Sequence, residues 1–167
     1  NDALPFAKEQ LVSKKNTLKK GGTLLLRDTN GSVTTDPNEF VQENVGDFVF
    51  QFRAGEFFQN NPFILTALVD YVINQSQPQE SSFLIDAYCG SGLFGISAAP
   101  HFKKVTGIEI SREGFLGAQA NAKLNRLTNT EFILGDASSI FESIDPTQKS
   151  CTLIVDPPRK GCDQNFL

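Results

Sequence analysis

Ile85-Asp86-Ala87-Tyr88-Cys89-Gly90-Ser91-Gly92-Leu93-Phe94-Gly95 is an apolar run that breaks at once into a glycine loop, and its reading decides the fold. The apolar residues 83–87 suit a buried strand. The glycines let the backbone turn tightly and approach a ligand with no side chain in the way. Residues 93–99 then read as a helix, so strand, loop and helix together make a nucleotide-site candidate. The run from Gly90 to Gly95 also satisfies G-x-G-x-x-G, which keeps a dinucleotide-binding sheet open beside other nucleotide ligands.

Downstream the same alternation repeats. Apolar strands are expected over 105–110, 130–134 and 151–155, with helices over 111–124 and 137–144. This is the pattern of an α/β fold with a doubly wound parallel sheet. Each strand ends in an acid or leads into one. Glu109 closes the second strand, where a carboxylate can accept both ribose hydroxyls of an adenosine. Gly135-Asp136-Ala137 puts a carboxylate after the third, where the amino group of an adenine needs an acceptor. The fourth runs into Ile154-Val155-Asp156-Pro157-Pro158-Arg159-Lys160-Gly161, whose prolines fix the backbone and cannot extend a ladder. A nicotinamide enzyme has no general need for that motif, so the balance favours an adenosyl ligand in one continuous groove.

Upstream, Asp47-Phe48-Val49-Phe50-Gln51-Phe52 alternates partly with period two and predicts a strand. A turn at Arg53-Ala54-Gly55-Glu56 leads into Phe57-Phe58-Gln59-Asn60-Asn61-Pro62. Pro62 suits a first helical position. Phe63, Ile64, Ala67, Leu68, Tyr71 and Val72 are expected to form the helix's apolar face, ending before Gln75-Ser76-Gln77-Pro78. The first 46 residues carry Lys8, Lys14, Lys15, Lys19, Lys20 and Arg27, with turn signals at Gly21-Gly22, Asn30-Gly31 and Asp36-Pro37. They read as a strand-rich remnant of a preceding, RNA-binding or central domain, and 47–167 as the N-terminal part of the α/β domain. With no Met anywhere and an end soon after the fourth strand, the chain is expected to be a fragment.

Composition bounds the remaining classes. At 167 residues, 40% hydrophobic and 20% charged, the chain can build one ordinary core, which argues against a disordered or fibrous protein. The net charge of −4 does not suit a whole-surface grip on a polyanion, but the basic block near the N-terminus could touch an RNA backbone. No apolar run is long enough to span a bilayer and no secretory leader is visible, so no membrane partner and an intracellular location are expected. Cys89, Cys151 and Cys162 lack the paired spacing of a zinc site or disulfide framework, so no metal is expected. His101 has no partner pattern around it and reads as a surface or helix-end residue.

With these residues in place, the chain resembles the RNA (uracil-5-)-methyltransferase family, and most of all its eukaryotic, tRNA-modifying branch. The resemblance covers residues 48–163. Its most specific parts are Phe57-Phe58-Gln59-Asn60-Asn61, Asp86-Ala87-Tyr88-Cys89-Gly90-Ser91-Gly92 and Asp156-Pro157-Pro158-Arg159-Lys160-Gly161-Cys162-Asp163. It implies a Rossmann-like, class I S-adenosylmethionine-dependent methyltransferase sheet, truncated here and preceded by a small strand-rich segment. S-adenosyl-L-methionine is the implied cofactor, and uridine in tRNA, with the T-loop expected, the implied substrate. Gln59, Tyr88, Glu109 and Asp156 are implied to contact the cofactor or the target base, Gly90 and Gly92 to shape the loop, and Asp136 to sit near the adenine. Leu93 departs from bacterial relatives, which carry Asn there.

The chemistry itself demands two further groups. Uracil C5 is a poor nucleophile, so a thiolate must add to C6 before C5 can attack a sulfonium methyl, and a base must then remove the C5 proton. In the family both lie downstream of the Asp-Pro-Pro-Arg motif, so the nucleophilic cysteine and the basic glutamate are expected beyond Leu167, leaving no catalytic residue in this chain. Cys89 lies inside the loop, Cys151 opens a strand and Cys162 sits in the turn after the prolines. Two other functions stay open: a cofactor- or RNA-binding module without catalysis, and an amino-directed nucleic-acid methyltransferase. The latter usually follows Asp-Pro-Pro with an aromatic residue, where this chain has Arg159.

Overall fold

A computed structural model describes residues 25–28, 31–34, 40–53, 56–59, 61–78, 82–139, 150–159 and 161–162. The chain divides into two compact units, residues 1–42 with 52–57, and residues 43–51 with 58–167. In the first, β1 (Leu25–Asp28) pairs antiparallel with β2 (Gly31–Thr34), in register from Leu25 opposite Thr34 to Asp28 opposite Gly31. Gly31, from the expected Asn30-Gly31 turn signal, opens β2, while Asn30 lies outside the described residues. A second hairpin joins β3 (Phe40–Val45) to β4 (Phe48–Arg53) through Gly46-Asp47. Gly46 has φ +56°, a left-handed value that a two-residue hairpin turn asks for and glycine adopts at no steric cost.

The second unit is built on a four-stranded sheet of β5 (Phe83–Asp86), β6 (Lys104–Glu109), β7 (Thr130–Leu134) and β8 (Cys151–Ile154). Its order is β7-β6-β5-β8 and every pairing is parallel. The doubly wound reading therefore holds, and the strands begin and end within a residue of the expected positions. The chain winds outward from β5 to β7, then returns to β5's other side with β8. That reversal leaves a crevice at the carboxyl ends of β5 and β8, where ligands bind in open sheets of this kind.

Among the described residues, three α-helices flank the strands. α1 (Pro62–Gln75) opens on Asn61, whose side chain accepts the Phe63 N–H at 3.1 Å, with Pro62 at a position where its missing N–H costs nothing. α2 (Leu93–Ala98) starts from Gly92 and every one of its residues is buried. α3 (Arg112–Leu124) is capped by Ser111, whose Oγ accepts the Gly114 N–H at 3.3 Å. Of the helix expected over 137–144, a 3-10 turn spans Ala137–Ser139 and the rest lies outside the described residues.

The expected apolar face of α1 is corrected. Leu65, Val69 and Ile73 are buried, whereas Phe63 is 95% exposed, Ile64 55% and Tyr71 63%. The helix is apolar nearly all round, so spacing alone could not say which stripe meets the core. The structure buries the i, i+4, i+8 row, and the C-terminal end is fixed where the Ser76 hydroxyl donates to the Val72 carbonyl at 2.7 Å.

Candidate functional site

The parallel register brings the strand-end residues to one edge of the sheet. Asp86 pairs opposite Ile154 at the ends of β5 and β8, and the Ala87 N–H donates to the Ile154 carbonyl at 3.0 Å. Asp156 therefore follows directly beside the start of the glycine loop. On the other side the Cys89 N–H donates to the Ile108 carbonyl, and the Gly135 N–H to that of Glu109, both at 3.0 Å. The loop after β5, Glu109 and the Gly135-Asp136 turn are thus locked to neighbouring strand ends.

Glu109 ties the loop together. Its Oε2 accepts the Gly90 N–H at 2.8 Å and its Oε1 the Ser111 N–H at 2.7 Å. Each carboxylate oxygen has a second lone pair, so the group retains acceptor capacity for hydroxyls in front of the loop. Gly90 (φ +53°) and Gly92 (φ +91°) both occupy left-handed backbone conformations. At Gly92 a Cβ would also lie 2.6 Å from Ile96 Cδ1, so this turn admits no side chain. Gly95 meets a different constraint, since a Cβ there would stand 3.3 Å from Asp86 Oδ2 and 3.2 Å from Val105 Cγ1. It allows α2 to lie directly on the sheet.

Asp86 is fully buried, at 0% exposure. Its Oδ2 accepts the Gly95 N–H at 3.0 Å, while Oδ1 has no hydrogen-bond partner among the described residues. Burial pushes its pKa up to about 7; the Gly95 hydrogen bond lowers it, and the charges of Asp156 and Glu109 raise it further. The carboxylates of Glu109 and Asp156 thus edge the crevice, and the buried Asp86 stands behind them with one orphaned oxygen. Such an acceptor set fits a ligand that brings hydroxyls and positive charge.

The other expected site residues are placed as follows. Tyr88 is half-buried and packs with Ile133 and Cys162 against the cluster of Ile85, Ala87, Ile108 and Ala137. Asp136 is exposed after β7, and its Oδ1 accepts the Ser138 N–H at 2.8 Å. Asp156 is exposed after β8. Gln59 is half-buried in the segment before α1, directly after a buried Phe58 whose ring lies 5.8 Å from that of Phe50. Leu93 is buried in α2. Lys160 and Asp163 lie outside the described residues.

The thiols are poorly set for nucleophilic work. Burial pushes the Cys89 thiol up, with the charges of Asp86 and Glu109 adding to the shift. Burial raises the Cys151 thiol as well, and Cys162 is turned onto the core cluster. A thiol held protonated is a weak nucleophile. Among the described residues no group of three or more His, Cys, Asp or Glu could hold a metal ion, and no helix is long and apolar enough to cross a membrane.

Sequence reasoning missed Asn121 and Asn125. Both hydrogen-bond β4, and Asn121 also reaches the glycine loop. The available signal was a pair of asparagines four apart, continuing the row of the buried Ala118 and Ala122 on α3.

Comparison with known proteins agrees with this architecture. A family model described as tRNA (Uracil-5-)-methyltransferase matches residues 24–167. The chain is 41% identical over 179 residues to tRNA (uracil(54)-C(5))-methyltransferase of Schizosaccharomyces pombe, covering 100% of this chain and 34% of that protein. To the Saccharomyces cerevisiae protein of the same name it is 42% identical over 164 residues, covering 95% of this chain and 24% of the other. The chain therefore spans between about a quarter and about a third of the length of these relatives. Among solved structures, Pyrococcus abyssi tRNA (uracil-54, C5)-methyltransferase in complex with S-adenosyl-L-homocysteine superposes with a TM-score of 0.69. At 22% identity, over 92% of this chain and 38% of that one, the likeness is one of fold.

Proposed function

The chain belongs to the tRNA (uracil-5-)-methyltransferase family, and we propose that its parallel sheet holds S-adenosyl-L-methionine for methylation of a T-loop uridine at C5 in tRNA. The observation that carries this reading is Glu109, a carboxylate at the end of β6 that clasps the Gly90 and Ser111 N–H groups and keeps lone pairs for a ribose diol. Gly90 and Gly92 clear the backbone for close approach. Asp136 supplies an acceptor for the adenine amino group. Asp156 gives the crevice negative charge that a sulfonium and an ammonium would complement, the buried Asp86 behind it keeps one carboxyl oxygen unpaired among the described residues, and Tyr88 and Gln59 line the approach to the methyl-bearing end or the target base. When bound, the cofactor supplies an electrophilic methyl group.

Residues 1–46 are read as part of a preceding RNA-binding domain and 47–167 as the first part of the methyltransferase domain. The free thiols favour a reducing, intracellular compartment. None of Cys89, Cys151 and Cys162 is assigned the nucleophile's role.

Calorimetric titration with S-adenosylhomocysteine and, separately, NAD tests the cofactor. Saturable binding of the first and none of the second is expected, with Glu109→Ala weakening it at least about tenfold through loss of charge-assisted hydrogen bonds. Binding of NAD in preference to S-adenosylhomocysteine would overturn the reading.

A further inference from the structure

Asn121 has 0% exposure, and its side-chain amide joins two segments far apart in the chain. Its Oδ1 accepts the Gln51 N–H at 2.8 Å, and its Nδ2 donates to the Ser91 carbonyl at 3.0 Å. One turn later, Asn125 Oδ1 accepts the Val49 N–H at 2.9 Å while its Nδ2 donates to the Val49 carbonyl at 2.8 Å. The spacing explains the fit. Four helical residues rise about 6 Å, close to the roughly 6.7 Å covered by two strand residues. Asparagines at i and i+4 therefore meet alternate backbone groups on one strand edge, and α3 serves β4 as a neighbouring strand would.

Only Asn121 continues into the glycine loop. Ser91 sits between Gly90 and Gly92, both with positive φ, and the loop is gripped from two sides. Glu109 holds it from β6 through Gly90, and Asn121 holds it from α3 through Ser91. The other end of the Asn121 amide fixes Gln51, next to Phe50, whose ring packs with that of Phe58 immediately before Gln59. We propose that Asn121 is a positioning residue that sets the glycine loop against the β4–Phe58 wall carrying Gln59, and so fixes the width of the cofactor groove. This rests on the cofactor reading given above.

The matched control is Asn125, which grips β4 but not the loop. In the full chain, Asn121→Ser is expected to raise the Kd for S-adenosylhomocysteine at least about tenfold, measured well below the Tm. Asn125→Ser should leave it within about threefold, the effect of a lost contact outside the groove. Amide hydrogen exchange should quicken at Gln51 and across residues 90–92 in the Asn121 variant, and only at β4 in the other. If Asn121→Ser fails to fold, the wild-type chain still decides: S-adenosylhomocysteine should slow exchange at Gln51 as well as in the loop. Equal affinity losses in both variants, or a Gln51 amide indifferent to the ligand, would overturn the proposal. Absence of binding by the wild type would instead count against the cofactor reading, while exchange in the variants would still test the Asn121 link.

Discussion

Asp86 shows how one residue can serve a site at a cost to the fold. Its backbone register puts it at the end of β5, where Oδ2 anchors the Gly95 N–H and α2 covers it completely. Burial holds the carboxyl protonated up to about pH 7, against 3.8 for an ordinary carboxyl. Because the folded-state pKa is raised, the folded chain binds the extra proton between these values. The stability it contributes is present below pH 4 and lost as pH rises to about 7. The difference is on the order of 4 kcal/mol. Asp86→Asn keeps an acceptor for Gly95 but does not titrate. Urea denaturation of both proteins from pH 4 to pH 8 should therefore show the wild type losing stability relative to the variant across that window, and a constant gap above it. A gap independent of pH would mean that Asp86 is ionised throughout.

At the scale of the element, the strands were legible because each is a short apolar run closed by an acid, a glycine or a proline, and these punctuate a parallel sheet wherever it meets a ligand edge. That is also why Glu109, Asp136 and Asp156 could be picked out: all three sit at strand ends. α1 was not legible in the same way, since Phe63, Ile64 and Tyr71 are as apolar as Leu65, Val69 and Ile73, and only the tertiary context chose the second set. Asn121 and Asn125 were missed for a related reason: their partners lie in β4 and the loop, 70 residues or more and 30 residues away. Gly107 belongs to this class as well. It reads as an ordinary weak point in β6, yet a Cβ there would lie 2.7 Å from Phe132 Cδ1 and 2.9 Å from Cys89 Sγ. Gly107→Ala should destabilise the chain by about 1–3 kcal/mol through overpacking between β6, β7 and the loop, read as a shift of the denaturation midpoint. An unchanged midpoint would mean that the Phe132 ring can swing aside freely.

For the whole molecule, the uneven charge predicts a separation of two tasks, cofactor binding and RNA contact. The chain is acidic, with a net charge of −4, and its sheet edge carries the carboxylates Glu109 and Asp156, a poor surface for phosphate. The cations Lys14, Lys15, Lys19 and Lys20 cluster instead near the N-terminus. If that block meets the RNA backbone, each phosphate contact it makes releases counterions and steepens the dependence of affinity on salt by about 0.9 in log–log slope. Replacing the four lysines by alanine should then weaken tRNA binding and flatten the slope by up to about 3.6, without changing the Kd for S-adenosylhomocysteine, because the cofactor groove draws on other residues. Filter binding across a salt series, paired with calorimetry, measures both. A slope unchanged by the four substitutions would move the RNA contact away from the basic block, while a parallel loss of cofactor binding would mean that the two tasks are not separable in this chain.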